Sequence, residues 1–107
     1  LWDMLIAARD ARNFVTELDE RGFLASRLHQ NAVIRSLEVL GEAAGRVSRP
    51  SCLVLADLPW KEMTGLRHRL IHGYAEVRLD LVWRVTAEQL PTLIAALEAF
   101  LPPEASV

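Results

Sequence analysis

The stretch Leu66-Arg67-His68-Arg69-Leu70-Ile71-His72-Gly73-Tyr74 concentrates two arginines, two histidines and a tyrosine within eight residues of a chain whose formal net charge is −2. These residue types suit cleavage of a phosphodiester without a metal. Such a reaction needs a group that moves protons on and off ribose oxygens near neutral pH, which an imidazole does. It also needs a fixed cation on the phosphoryl oxygens, which the planar guanidinium fork supplies. Arg67 and His72 could provide both. On an unbroken helix, five residues correspond to about 140° around the axis. The two side chains would then point apart, so they converge only if the helix ends near His72, as Gly73 suggests, or if two protomers each contribute one. The plainer reading is a basic cluster at a helix C-terminus, favoured by the helix dipole. His68 and His72, four apart, would share a helix face, but no acidic residue at suitable spacing completes a metal site.

The elements that must hold this segment are helical. Leu1, Leu5, Ala8, Ala11, Val15 and Leu18 recur at helical spacing and predict a first helix over about Trp2–Leu18, with Gly22 ending it or lying in the turn. A long second helix is predicted over Ser26–Val47. Its core stripe is Val33, Leu37, Leu40, Ala44 and Val47, and its polar stripe is Asn31, Arg35, Glu38, Glu42 and Arg46. A third strip of Ala32, Ser36, Val39 and Ala43 is small enough to admit a close partner helix. Arg49-Pro50-Ser51 breaks the pattern, and the stretch to Leu58 reads as a connector with one short turn. Asp57-Leu58-Pro59 then starts a third helix, expected to reach Ile71. A fourth runs from about Asp80 to Leu101, kinked at Pro91 and stopped by Pro102-Pro103. No strand is expected. The reading is all-α: four main helices in an antiparallel bundle, one domain over residues 1–107.

Composition limits the function. With 51% apolar residues the chain is too hydrophobic for disorder, and its apolar runs are too short to cross a bilayer. No signal peptide is visible, although the first residue is Leu1 rather than Met. The single cysteine, Cys52, forbids an internal disulfide and points to a reducing cytoplasm; with three histidines it also argues against structural zinc. The slightly acidic balance argues against a broad nucleic-acid surface, leaving the local cluster around Arg67 to contact RNA.

Arg67, four residues, His72, one residue and Tyr74 form an R-x4-H-x-Y motif, and in this ordered context the chain resembles the HepT-like toxins of the HEPN superfamily. Ala32-Val33-Ile34-Arg35-Ser36-Leu37-Glu38-Val39-Leu40-Gly41-Glu42-Ala43-Ala44 resembles the family's second-helix signature. Leu58-Pro59-Trp60 and Asp80-Leu81-Val82-Trp83 fit on either side of the motif. The resemblance implies a HEPN-like bundle forming a two-fold dimer, with the two motif segments facing across a composite cleft. It implies a metal-independent endoribonuclease toxin that needs no cofactor. It further implies a minimal nucleotidyltransferase antitoxin that neutralises the toxin and can transfer AMP to the motif tyrosine. Carried over, Arg67 and His72 are the catalytic pair and Tyr74 the modification target. Many relatives have Asn after the motif arginine; here it is His68, which would take over that polar role or titrate itself. His68, Arg69, Arg35, Glu38 and Glu42 are auxiliary candidates, the α-helical acids and Arg35 reading otherwise as a solvated ion-pair face. Trp2, Trp60 and Trp83 read as core or dimer anchors. Two other functions fit the same fold: a catalytically silent docking partner of a nucleotidyltransferase, and a small-ligand-binding helical dimer.

Overall fold

A computed structural model describes residues 1–66, 71–72 and 76–102, with the backbone alone described at 71–72 and 76–77. The first helix, α1, spans Trp2–Phe14 and buries Met4, Leu5, Ala7, Ala8 and Ala11, the face expected from its spacing. It is shorter than the stripe suggested. From Val15 the amides turn back to carbonyls three residues earlier (Val15 to Arg12, Thr16 to Asn13), so the chain tightens and leaves the helix while Val15 stays buried.

Gly22 does not end α1. It lies inside a five-residue helix, α2 (Glu20–Leu24), because the Asp19 carboxylate accepts its amide at 2.7 Å and caps the turn. α2 drives Phe23 into the core, with its ring centroid 5.5 Å from that of Trp83. The long helix α3 spans Arg27–Gly45, capped by Ser26, whose hydroxyl accepts the His29 amide at 3.3 Å. Val33, Leu37, Leu40 and Ala44 are buried as their period predicts. Gln30 is buried too, and its amide donates to the Leu24 carbonyl at 3.1 Å and, beside the Ser26 amide, to the Phe23 carbonyl at 3.0 Å, so the end of α2 is tied to α3.

The connector expected at 49–58 contains a real helix, α4 (Arg49–Val54), with Ser48 as cap and Pro50 in the first turn. A proline fits there, since its missing amide would have had no partner in a first turn; α3 has already ended at Gly45. The helix expected to run to Ile71 is corrected: α5 spans only Trp60–Thr64, Leu66 is helical, and the backbone at 71 is extended. A two-residue antiparallel ladder joins β1 (Ile71–His72) to β2 (Glu76–Val77), pairing Ile71 with Val77 and His72 with Glu76. That small ladder is the one departure from the all-α architecture among the described residues. The proposed glycine stop at residue 73 lies outside the described residues.

The last segment is helical from Leu79 to Phe100 in three pieces: α6 (Leu79–Arg84), a π-helical turn (Val85–Gln89) and α7 (Leu90–Phe100). The kink expected at Pro91 takes this form. The Leu90 amide bonds back to the Val85 carbonyl, and Pro91 has no amide, so the Thr86 carbonyl loses both its usual donors. The Arg12 guanidinium, reaching across from α1, donates to it at 3.3 Å. The core lies where α1, α3 and α6–α7 meet; Met4, Leu37, Val82 and Leu97 are all fully buried there.

Candidate functional site

The structure locates the two ends of the motif segment. On the entry side, α5 passes close beneath α3 at Gly41. A Cβ added to Gly41 would sit 3.0 Å from the Met63 carbonyl oxygen and 3.7 Å from Leu66 Cβ. Met63 and Leu66 are both buried, so the residue immediately before Arg67 is anchored in the core. On the exit side, the β1–β2 pairing leads into α6, where Val82 and Trp83 reach the core. Arg67, His68, Arg69 and Tyr74 lie outside the described residues. His72 is placed by its backbone, on β1 in register with Glu76. Since that backbone is extended, the 140° helical separation between Arg67 and His72 does not apply: no continuous helix connects them.

The auxiliary residues on α3 face this entry. Arg35, Glu38, Gly41 and Glu42 line a shallow depression of about 230 Å³ together with Thr64, near the end of α5. The chain runs from Thr64 through Leu66 into Arg67. Within α3, Arg35 stands 3.6 Å from Glu38 and Arg46 stands 3.8 Å from Glu42. These are loose surface pairs that hold their partners only weakly. The stripe expected from the sequence therefore borders the motif's entry, and Gly41 and Thr64 join it, neither of which residue chemistry singled out. A mid-helix glycine was the available signal: it costs about 1 kcal/mol against alanine and so calls for a packing reason.

A larger groove of about 470 Å³ lies between α5, the π-helical turn and α7, over Leu58, Met63, Leu66, Leu90 and Leu93. Its rim carries Asp57, Glu62 and Glu88. An RNA backbone avoids a rim of carboxylates, so size does not make this the RNA site. The tryptophans behave as anchors. Trp83 packs on Phe23, and the Trp60 indole donates to the Leu55 carbonyl at 2.9 Å, tying α4 to α5. Past the motif, Asp80 heads α6, and its carboxyl is held below its ordinary range mainly by the hydrogen bond from Arg78, 3.0 Å away. Among the described residues no three His, Cys, Asp or Glu side chains converge as a metal site, and no helix is long and apolar enough to cross a membrane.

Comparison with known proteins bears on the same residues. The family described as "Ribonuclease HepT-like" matches residues 4–100, which includes the whole motif segment. The chain is 36% identical over 93 residues to the Methanocaldococcus jannaschii protein named "Putative RNase MJ1380", covering 87% of this chain and 85% of the relative. It is 33% identical over 93 residues to the Thermococcus cleftensis protein named "Probable ribonuclease HepT", covering 87% and 84%. No solved structure matches the chain significantly. An all-helical scaffold, an R-x4-H-x-Y segment anchored at both ends in its core, and a family match over nearly its whole length together make this chain a member of the HepT-like ribonucleases of the HEPN superfamily.

Proposed function

We propose that the chain is a metal-independent endoribonuclease acting as the toxin of a toxin–antitoxin pair in the cytoplasm. The observation that carries this reading is the ordered set Arg67, His72 and Tyr74 within a chain that matches the ribonuclease family from residue 4 to residue 100. The relatives' names point the same way, to RNA as substrate. In the proposed reaction the ribose 2′-hydroxyl attacks the adjacent phosphorus. A new 2′-O–P bond forms, the bond to the 5′-oxygen breaks, and a 2′,3′-cyclic phosphate and a 5′-hydroxyl result. His72 takes the 2′ proton or delivers one to the leaving oxygen, and Arg67 holds the phosphoryl oxygens as their charge develops. Two protomers related by a two-fold axis bring their motif segments to one cleft. Arg35, Glu38 and Glu42, bordering the motif's entry, and His68 and Arg69 within it, orient the pair and the phosphate.

Control is proposed to pass through Tyr74. A minimal nucleotidyltransferase transfers AMP from ATP to its phenol, forming the phenolic O–P bond and releasing pyrophosphate. The added nucleotide fills the cleft, and its phosphate occupies Arg67 or Arg69, the cations the RNA needs. The reading is tested by incubating the purified protein with structured RNA in EDTA and identifying the product ends. Cyclic phosphate and 5′-hydroxyl ends are expected; intact RNA would favour the silent docking partner instead. With the cognate transferase and ATP, mass spectrometry should find AMP on the parent and none on Tyr74→Phe. AMP on Tyr74→Phe at the parent's rate would exclude Tyr74 as the acceptor.

A further inference from the structure

The larger groove between α5, the π-helical turn and α7 takes no part in the proposed chemistry. Its volume of about 470 Å³ nevertheless falls within the range of about 300–1,000 Å³ common to ligand pockets. Its floor is apolar. Leu58, Met63, Leu66, Leu90 and Leu93 line it, each less than a tenth open to water, so it offers contact along a line rather than a broad face. Its rim is acidic. Asp57 and Glu62 stand on the α5 side and Glu88 on the π-helical turn, all exposed and without an ion-pair partner among the described residues. No Lys, Arg or His is among the described residues that line the groove. Val85, Glu88 and Gln89 come from the π-helical turn, a rare backbone form that recurs at functional sites.

We propose that this groove binds a linear aliphatic polyamine, a slim chain whose protonated amines are separated by short methylene runs. The methylenes lie along the leucine floor, and the amines reach the carboxylates on either side. A lysine side chain divides itself in the same way between an apolar stem and a charged head. Other ligand classes match only half of the groove. A divalent cation would use the carboxylates and leave the floor bare. A neutral hydrocarbon would use the floor and leave the carboxylates unanswered, and a phosphate would be repelled. A partner helix, a cylinder roughly 10 Å across, needs a broader apolar face than this floor offers. Met63 and Leu66 are also the buried residues that lead into Arg67, so a bound polyamine would tie α5 to α7 one residue before the motif. The binding itself does not rest on the ribonuclease reading.

The test titrates the whole chain with spermidine at low salt, without RNA, and follows the methionine methyl groups by NMR. The chain has two methionines: Met63 lies in the groove's floor, and Met4 is buried on α1. Saturable movement of the Met63 methyl with Met4 unmoved is expected. Mg²⁺, which lacks methylenes, and octanediol, which lacks charge, should each need at least about tenfold more ligand for the same movement. Asp57→Asn with Glu62→Gln and Glu88→Gln removes the rim charge at exposed positions and should weaken spermidine about tenfold or more. Thr92→Arg, also at an exposed lining position, gives the groove a cation of its own and should weaken it likewise. A Met63 methyl that spermidine leaves unmoved, or a triple variant that binds as tightly as the parent, overturns the site. Mg²⁺ binding as tightly as spermidine overturns the ligand class, leaving a counter-ion surface only. A lysine-rich helical peptide that moves Met63 at lower concentration than spermidine also overturns it, in favour of a protein partner. No cleavage is measured, so each of these outcomes leaves the roles proposed for Arg67 and His72 as they stand.

Discussion

The α1–α3 pair and the stretch from α5 to α6 are built on different terms. Along α1 and α3 nearly every third or fourth side chain is buried, from Met4 and Leu5 to Leu37, Leu40 and Ala44, so the segment is held along its whole length. Between α5 and α6 the anchors stand at the ends, Met63 and Leu66 before the motif and Val82 after it, with the motif's polar and basic residues between them. The first region's residues are mostly buried, and the second carries the residues proposed for the chemistry. Substitutions in the first should therefore move stability, and those in the second should move RNA cleavage.

The largest stability effect is expected from Leu37→Ala. Leu37 is fully buried at the α1–α3 contact, and truncation should cost about 2–5 kcal/mol, a large share of a small domain's stability. Urea unfolding measures it, and a loss below about 1 kcal/mol would mean that the α1–α3 contact is not the scaffold's core. Gly41→Ala tests where the two regions touch. The new methyl meets the Met63 carbonyl, a backbone atom that cannot swing aside, so α5 must shift. Strain of about 1–3 kcal/mol is partly offset by alanine's helix preference of about 1 kcal/mol. Net stability should fall by at most about 2 kcal/mol. RNA cleavage should fall by about tenfold or more, since even a small displacement of the proposed catalytic segment is costly. Unchanged cleavage would uncouple α3 from the motif.

Smaller effects belong to the helix starts. Ser26→Ala removes the hydroxyl that accepts the His29 amide and should cost about 1 kcal/mol in thermal or urea unfolding, with no change in cleavage per folded molecule. Asp80→Asn should be smaller still, because Asp80 is fully exposed. Its direction is fixed by sign. Arg78 lowers the folded-state carboxyl below its unfolded value, so the contribution is present at neutral pH and is lost as pH falls through the lowered folded value. Melting curves of parent and Asp80→Asn should converge in acid; a gap that widens there would contradict the Arg78 contact.

What could be read from the sequence follows the same division. α3 was visible because its stripe is long and Ser26 stands before it, and the first and last helices because their apolar periods are regular. α2 was hidden because one turn is too short to show a period and Gly22 read as a terminator, although Asp19 three residues earlier was the capping signal. α4 was hidden because Pro50 read only as a breaker; Ser48 and Ser51 marked the start. Pro91 foretold the kink, but not its π-helical form, which depends on Arg12 arriving from α1 to supply the missing donor. The motif's proposed chemistry was readable only because Arg67, His72 and Tyr74 stand in an order that resembles the family's; the residue types alone also fit a basic cluster at a helix end. Its setting was not readable: that α3's polar stripe borders its entry, and that Gly41 lets α5 approach, are facts of helix packing that no local pattern carries.

The central claim is that RNA cleavage resides in the motif segment and is separable from the scaffold. Its most direct measurement compares the parent with His72→Ala, following cleavage of structured RNA in EDTA and the melting curve on the same preparations. Removing a general acid or base typically lowers a rate by about 10²- to 10⁴-fold. His72→Ala should show a loss of that size at an unchanged melting temperature. Cleavage at the parent's rate by an equally folded His72→Ala protein would contradict it.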